Sequence, residues 1–134
     1  MKHISSVEVR FSDIDAMGHV NNAVFLNYFE EARIEFFKAT IGEKWDWRSQ
    51  GIVLARNEID YMLPILLTDE VKIETRVEKI GGKSMTLSYS VYNGLEGEQM
   101  KRFAHGRSII VAFDYAKGQP KEIPESWRAA FNRK

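Results

Sequence analysis

The spacing of apolar residues in the first third of the chain predicts a short strand followed by a long helix. Residues 4–11 alternate between apolar and polar side chains, which is the period of a strand. Residues 12–22 are too polar and irregular for a strand and are expected to form a loop. The period becomes helical from Asn21 or Asn22, either of which can cap a helix, and Gly42 supplies a stop. The apolar face of the predicted helix consists of Phe25, Phe29, Ala32 and Phe36.

The rest of the chain alternates with a period of two and predicts four more strands. These strands cover residues 51–62, 69–80, 83–92 and 100–113. Gly81-Gly82 and Asn93-Gly94 predict turns between neighbouring strands, and residues 125–131 are expected to form a short final helix. This order defines an α+β fold in which an antiparallel sheet packs against a helix. Since one helix cannot cover a sheet of five strands, we expect a second copy of the chain to close an edge or a face.

The composition is that of an ordinary globular protein. A chain of 134 residues has the length of one domain, which we expect to span residues 1–134. Because there is no cysteine, disulfides, thiolate nucleophiles and cysteine-bound metals are excluded. The 19 basic and 19 acidic residues balance, which argues against a general nucleic-acid binder. No apolar run is long enough for a membrane span, and no secretory signal is recognised, so we expect a cytoplasmic protein. The three histidines are scattered, and no metal site is expected.

The densest polar cluster lies in the loop before the helix. It consists of Asp13, Asp15, His19, Asn21 and Asn22. The free N–H groups at a helix N-terminus can polarise a carbonyl oxygen, and a nearby carboxylate can attack that carbonyl or activate water. This combination suits hydrolysis of an acyl group. The same residues also suit helix caps and Asx-turns, with Gly18 supplying a positive φ, and the residues alone leave both readings open.

The cluster belongs to a longer motif. Residues 9–37 resemble the opening of the hotdog-fold acyl-CoA thioesterases, and in particular the 4-hydroxybenzoyl-CoA thioesterase branch. The matching pattern is Asp-x-Asp-x-x-Gly-His-Val-Asn, followed by a long helix with an acidic-Ala-Arg-x-x-Phe run. The resemblance continues through residues 61–91 and covers about residues 5–128. It implies a curved five-stranded antiparallel sheet wrapped around one long central helix, in a homodimer or homotetramer with the active site between subunits.

The resemblance also implies roles for individual residues. Asp15 matches the catalytic carboxylate, which acts as nucleophile or as base for water, and an N–H at Asn22 or its neighbour matches the group that binds the thioester carbonyl. His19 is a possible orienting or acid–base group. The supporting positions are Asp13, Gly18, Asn21 and Glu58. Glu58, on the second strand, is either a second carboxylate facing Asp15 across the interface or part of a solvated strand.

The implied substrate is a small or medium acyl-CoA or acyl-carrier-protein thioester, and no cofactor is expected because coenzyme A is part of the substrate. Its phosphates need cationic or N–H contacts, for which the candidates are Lys83, Ser84 and Arg107. One alternative is an enoyl-thioester hydratase or dehydratase. The Asn-Pro expected between Asp15 and His19 in such an enzyme is missing. Another alternative is a non-catalytic module that binds acyl thioesters.

Overall fold

The computed structural model describes residues 2–42 and 44–132 and contains one antiparallel sheet and two α-helices. In chain order the elements are β1 (Lys2–Val7), α1 (Val24–Ile41), β2 (Gly51–Tyr61), β3 (Val71–Ile80), β4 (Ser84–Tyr92), β5 (Arg102–Asp114), β6 (Gln119–Pro120) and α2 (Glu125–Phe131). The strand order is β1-β3-β4-β5-β2, and β6 pairs with the end of β5. The expected α+β class and antiparallel sheet are therefore confirmed. The two-residue β6 adds a sixth strand that is too short to leave a period in the sequence.

The core lies between α1 and one face of the sheet. Alternate residues of β3 and β4 are buried there, as their period of two predicts. Phe29 of α1 stacks on Tyr89 of β4 with ring centroids 4.3 Å apart. Gly106 of β5 lies directly under the same ring, and a Cβ built on this glycine would come within 2.5 Å of it. The middle of α1 therefore lies close against β4 and β5.

The start of the chain differs from its predicted pattern. β1 ends at Val7, and Phe11, which the alternation over residues 4–11 places on the apolar face of a strand, is 83% exposed. The reason is a short 3₁₀ turn over residues 11–13, in which the Asp13 carboxylate accepts the Arg10 N–H at 3.0 Å. The helix begins at Val24, two to three residues later than predicted. Its predicted stop is confirmed, since Gly42 has a φ of +117° and donates its N–H to the Lys38 carbonyl.

Two connections in the sheet also depart from the simplest prediction. The register between β2 and β5 shifts between Leu54 and Arg56, so a bulge separates the two halves of β2. Asn93 does not begin a tight two-residue hairpin. Its side chain bridges a wider loop instead, donating to the Gln99 carbonyl and accepting the Lys101 N–H. The predicted turn at Gly81-Gly82 does connect β3 to β4.

The two ends of the sheet are β1 and β2. Among the described residues β2 pairs with β5 alone, so its other edge has free backbone N–H and C=O groups. Beyond the bulge, Asn57 and Ile59 point towards α1, and Glu58 points to the opposite face. No helix within the described ranges is long and apolar enough to cross a membrane.

Candidate active site

The polar loop before α1 closes on itself. Ile14 pairs with Val20 in an isolated antiparallel bridge, and the Asp15 N–H donates to the His19 carbonyl at 3.0 Å. The Gly18 N–H donates back to the Asp15 carbonyl at 3.0 Å. Gly18 has a φ of +87°, which strains any residue with a side chain, so it has the turn-forming role that its type predicts. The loop therefore presents the residues between Asp15 and His19 as a compact turn.

Two donors hold the Asp15 carboxylate. Its Oδ1 accepts the Met17 N–H at 2.9 Å, and its Oδ2 accepts the side-chain amide of Asn21 at 3.2 Å. The residue is half-buried, so the carboxylate is oriented by the loop while it remains within reach of solvent. A positioned carboxylate of this kind can act on an electrophile or on water.

The Asn22 N–H, just before α1, is an open backbone donor. The Asn21 side chain accepts the Ala23 N–H at 2.9 Å, and its carbonyl accepts the Val24 N–H at 3.0 Å. The Asn22 carbonyl accepts the Tyr61 hydroxyl at 2.7 Å. Within the described residues the Asn22 N–H donates to no acceptor. It lies at the positive end of an 18-residue helix, where a carbonyl oxygen or an oxyanion is stabilised.

Asp13 ties the loop to the helix. Its Oδ2 accepts the Tyr28 hydroxyl at 2.7 Å in addition to the Arg10 N–H. Burial, together with this hydrogen bond to a carboxylate, raises the pKa of Tyr28 far above its ordinary value. Asp13 thus has contacts that fit the supporting role expected of it.

A cleft of about 270 Å³ opens beside the loop. His19 and Asn22 line it from the loop, Phe25 from α1, and Tyr61 with residues 62–64 from the end of β2. The His19 Nδ1 lies 3.3 Å from the Val20 carbonyl, and the tautomer that donates to this carbonyl leaves Nε2 as an acceptor. Asp15 itself does not line the cleft. It belongs to the same loop as His19 and Asn22, which do.

The surroundings of the cleft are apolar and exposed. Met17, at the tip of the loop, is 80% exposed. The segment after β2 adds more apolar side chains that are each about half exposed, namely Met62, Leu63, Leu66 and Leu67. Apolar patches of this kind mark surfaces that bind a ligand or another protein.

The other predicted site residues are not brought to the cleft within one chain. Glu58 lies on the outer face of the sheet, 3.9 Å from Arg56. The Arg107 guanidinium is bound by the Glu78 carboxylate at 2.8 Å, and this contact raises the pKa of Arg107. Lys83 and Ser84 lie at the β3–β4 turn, towards the end of the sheet that is far from Tyr61.

The sequence interpretation missed the polar contacts of two residues, Tyr61 and Arg33. The Tyr61 hydroxyl bonds to the loop, although its alternation predicts only a strand residue. Arg33 lies on the apolar face of α1, is 4% exposed, and donates to the hydroxyls of Tyr89 and Ser108 at 3.1 and 3.2 Å. Ser108 in turn donates to the Asn57 side chain at 2.6 Å. The signal that could have found Arg33 is its position four residues after Phe29, which puts a charged side chain on the face of the helix that the apolar period predicts to be buried.

The described residues contain no group of three or more His, Asp or Glu side chains that could hold a metal ion. The loop and the cleft together present a carboxylate, an imidazole and a backbone N–H. A curled antiparallel sheet with a helix across it, and a carboxylate loop at the start of that helix, is consistent with a hotdog-fold thioesterase domain.

Comparison with known proteins defines the family. The chain belongs to the thioesterase-like superfamily, whose family model matches residues 9–131. A thioesterase from Thermus thermophilus, solved in complex with coenzyme A and Zn, superposes with a TM-score of 0.82. It is 39% identical, and the match covers 97% of each chain. The family and the thioester-hydrolase class expected from the sequence are thus confirmed.

Two bacterial relatives are similar over part of the sequence. The uncharacterized protein YsmA of Bacillus subtilis is 36% identical over 94 residues, which are 70% of this chain. The match spans 63% of YsmA, just under two thirds of its length. The long-chain acyl-CoA thioesterase FadM of Escherichia coli K12 is 30% identical over 95 residues, covering 70% of this chain and 72% of FadM.

Proposed function

We propose that this protein hydrolyses acyl-CoA, or the corresponding acyl-carrier-protein thioester, to a free acid and a thiol. The observation that carries the proposal is the Asp15 carboxylate, held by two donors in the loop that ends at the open Asn22 N–H. The names of similar proteins support the substrate class, since FadM is a long-chain acyl-CoA thioesterase and the Thermus enzyme was solved with coenzyme A.

The proposed reaction begins with the thioester carbonyl oxygen accepting the Asn22 N–H. Asp15 then follows one of two routes. As a nucleophile it attacks the carbonyl carbon, the thiolate leaves, and water cleaves the resulting anhydride. As a base it removes a proton from water, which attacks the carbonyl carbon directly; the tetrahedral intermediate then collapses, the C–S bond breaks and the thiolate leaves. In both routes the N–H stabilises the negative charge that develops on the oxygen, and no cofactor takes part.

His19 has a secondary role in this proposal. Its ring lines the cleft, and its Nε2 is free when Nδ1 donates to the Val20 carbonyl. In its protonated form this nitrogen can donate a proton to the leaving thiolate. Asp13, Gly18 and Asn21 keep the loop in the conformation that presents Asp15.

The test is release of free thiol, read with a disulfide dye, across a panel of acyl-CoAs from acetyl to palmitoyl with benzoyl and 4-hydroxybenzoyl included. Asp15→Asn is expected to lower kcat by at least about 100-fold, because it removes the acid–base or nucleophilic group. Circular dichroism of the variant should match the wild type.

Asp114→Asn is the matched control. The Asp114 carboxylate also accepts two turn N–H groups, at 3.0 and 3.1 Å, but it lies at the opposite end of β5 from the cleft. This control is expected to keep wild-type turnover. Wild-type turnover in Asp15→Asn would refute the assignment of Asp15. A change in enoyl absorbance without thiol release would indicate a hydratase, and binding with neither signal would indicate a binding module.

A further inference from the structure

Arg33 is a buried cation near the middle of α1. The residue is 4% exposed, and one nitrogen of its guanidinium, Nη1, donates to the hydroxyls of Tyr89 and Ser108 at 3.1 and 3.2 Å. Both acceptors are uncharged, and the ion pairs among the described residues all involve other cations. A guanidinium loses its hydration on burial, and two hydroxyls replace only part of it. Stability alone therefore does not explain a charge at this position.

The contacts of Arg33 lead across the sheet to β2. Ser108 lies on β5 and is fully buried, and its hydroxyl donates to the Asn57 side chain at 2.6 Å while it accepts from Arg33. Asn57 and Ser108 are also direct partners in the register of β2 and β5. A hydroxyl that accepts from a cation is a stronger donor, because the positive charge polarises its O–H bond. Arg33 thus strengthens the side-chain bond that attaches Asn57 to β5.

Asn57 lies where β2 is weakly attached to the rest of the sheet. The register of β2 on β5 shifts between Leu54 and Arg56, so the ladder of backbone hydrogen bonds is interrupted just before Asn57. Within the described residues the other edge of β2 has no partner strand. The bond between Asn57 and Ser108 therefore fixes the half of β2 that follows the bulge and continues to Tyr61.

This half of β2 forms one wall of the cleft. Asn57 and Tyr61 point to the same face of the sheet and are four residues, or about 13 Å, apart along the strand. The Tyr61 ring meets Phe25 of α1 edge-on with ring centroids 5.1 Å apart, and its hydroxyl donates to the Asn22 carbonyl at 2.7 Å. A displacement of β2 relative to α1 therefore changes the contact that orients Asn22.

We propose that Arg33 is a positioning residue for the hydrolysis: through Ser108 and Asn57 it fixes the β2 wall of the cleft. The position of that wall in turn determines, through the Tyr61 hydroxyl, how the Asn22 N–H is oriented. The inference rests on the proposed hydrolase function and deepens it by adding a residue that touches neither the substrate nor the reacting atoms. Its effect falls on kcat, because the Asn22 N–H stabilises charge that develops in the transition state. KM changes little, since the apolar lining of the cleft stays in place.

The first test measures kcat and KM of Arg33 variants by thiol release, at a temperature where circular dichroism shows each variant to be folded. Arg33→Met has an apolar chain of similar length and is expected to lower kcat several-fold, with KM within about twofold of the wild type. Arg33→Lys should recover most of kcat. Because one nitrogen of Arg33 makes both contacts, the three donors of an ammonium can replace it. A side chain that only fills space would not give this order.

The second test asks whether Arg33 acts through Ser108. Ser108→Ala removes the hydroxyl that connects Arg33 to Asn57 and should lower kcat as Arg33→Met does. Ser5→Ala is the matched control, since Ser5 is also a buried serine of the sheet, 5% exposed, but lies on β1 at the other end of the strand order from β2. This control is expected to keep the wild-type kcat.

The third test is a double-mutant cycle with the end of the proposed path. Tyr61→Phe removes the hydroxyl that contacts Asn22. If Arg33 acts through this hydroxyl, adding Arg33→Met to Tyr61→Phe should lower kcat no further than the more damaging single variant does. If Arg33→Met does not fold, Ser108→Ala takes its place in the cycle.

Three outcomes would overturn the inference. The first is wild-type kcat in both Arg33→Met and Ser108→Ala. The second is a loss in Arg33→Lys as large as in Arg33→Met, and the third is a loss in the double variant equal to the product of the two single losses. All three include thiol release from the wild type, so they leave the proposed function standing. Absence of release from every acyl-CoA would instead overturn the proposed function and this inference with it.

Discussion

Gly106→Ala tests how closely α1 is packed on the sheet. A Cβ at this position would lie 2.5 Å from two carbons of the Phe29 ring and 2.7 Å from the Glu58 carbonyl oxygen. Ordinary carbon contacts are about 3.5–4.0 Å, so the overlap is roughly 1 Å. The ring cannot retreat easily, because Phe29 is fully buried and stacks on Tyr89. The carbonyl belongs to the backbone of the neighbouring strand and cannot retreat either.

The expected loss of stability is about 3 kcal/mol. Overpacking of a buried site typically costs about 1–3 kcal/mol, and two rigid neighbours place this site at the upper end. For a chain of this length, about 3 °C of Tm accompanies each kcal/mol, so we expect Tm to fall by roughly 10 °C. The helix should also shift away from β5, which moves the Asn22 N–H and lowers activity below the thermal transition.

The assay is urea unfolding followed by circular dichroism, with linear extrapolation to water. Gly82→Ala is the matched control, since its Cβ meets only the flexible Glu122 carboxylate at 3.4 Å, and it should stay within about 0.5 kcal/mol of the wild type. The double variant Gly106→Ala with Phe29→Leu should lose less unfolding free energy than the two single variants lose in sum, because the two substitutions affect the same contact. Wild-type stability in Gly106→Ala would refute the packing described here.

Three further predictions concern polar contacts. Tyr28→Phe removes the hydrogen bond to Asp13 and should lower the free energy of unfolding by about 1 kcal/mol at pH 8. Because the pKa of Tyr28 is raised in the folded state, the stability of the wild type falls as pH rises above about 10, and urea unfolding from pH 8 to 11 should show a smaller fall for the variant. Arg33→Met should change the free energy of unfolding by no more than about 1 kcal/mol, since a buried cation that donates to two hydroxyls is replaced by an apolar chain of similar length. Arg33→Ala leaves a cavity and should lose about 3 kcal/mol in the same assay. Tyr61→Phe frees the Asn22 carbonyl and should lower kcat/KM several-fold in the thiol-release assay with little change in Tm.

The sequence predicts most of this sheet because β3 and β4 bury one face only, and a half-buried strand must alternate. Val71, Ile73, Met85 and Leu87 are all inside, as their spacing requires. Where the geometry of a strand depends on its pairing with a neighbouring strand, the pattern of apolar and polar residues does not predict it. The bulge in β2 comes from the register with β5, and it changes which residues of β2 face the helix.

The candidate site is predictable in place but not in detail. The polar cluster marks the loop before α1, and the structure brings Asp15, Asn21 and Asn22 together there. Which backbone N–H groups of the loop stay without an acceptor depends on which of them donate to oxygens of the loop itself. The spacing of residue types along the sequence does not contain that information. The positions of Lys83 and Arg107 depend on strand order, which places them away from the cleft of their own chain.

Under the proposed function, the structural and the catalytic reading of the polar cluster are compatible, because they involve different atoms. The first N–H groups at a helix start need acceptors, and the Asn21 side chain and carbonyl accept those of Ala23 and Val24. The Asn21 amide N–H also donates to Asp15, so the residue that accepts these two N–H groups orients the carboxylate as well. Within the described part of the loop, this arrangement leaves the Asn22 N–H, which lies just before the start of α1, without an acceptor. In the proposed function these Asn21 contacts leave the Asn22 N–H to bind the oxyanion, so their loss in Asn21→Ala should lower activity as well as stability.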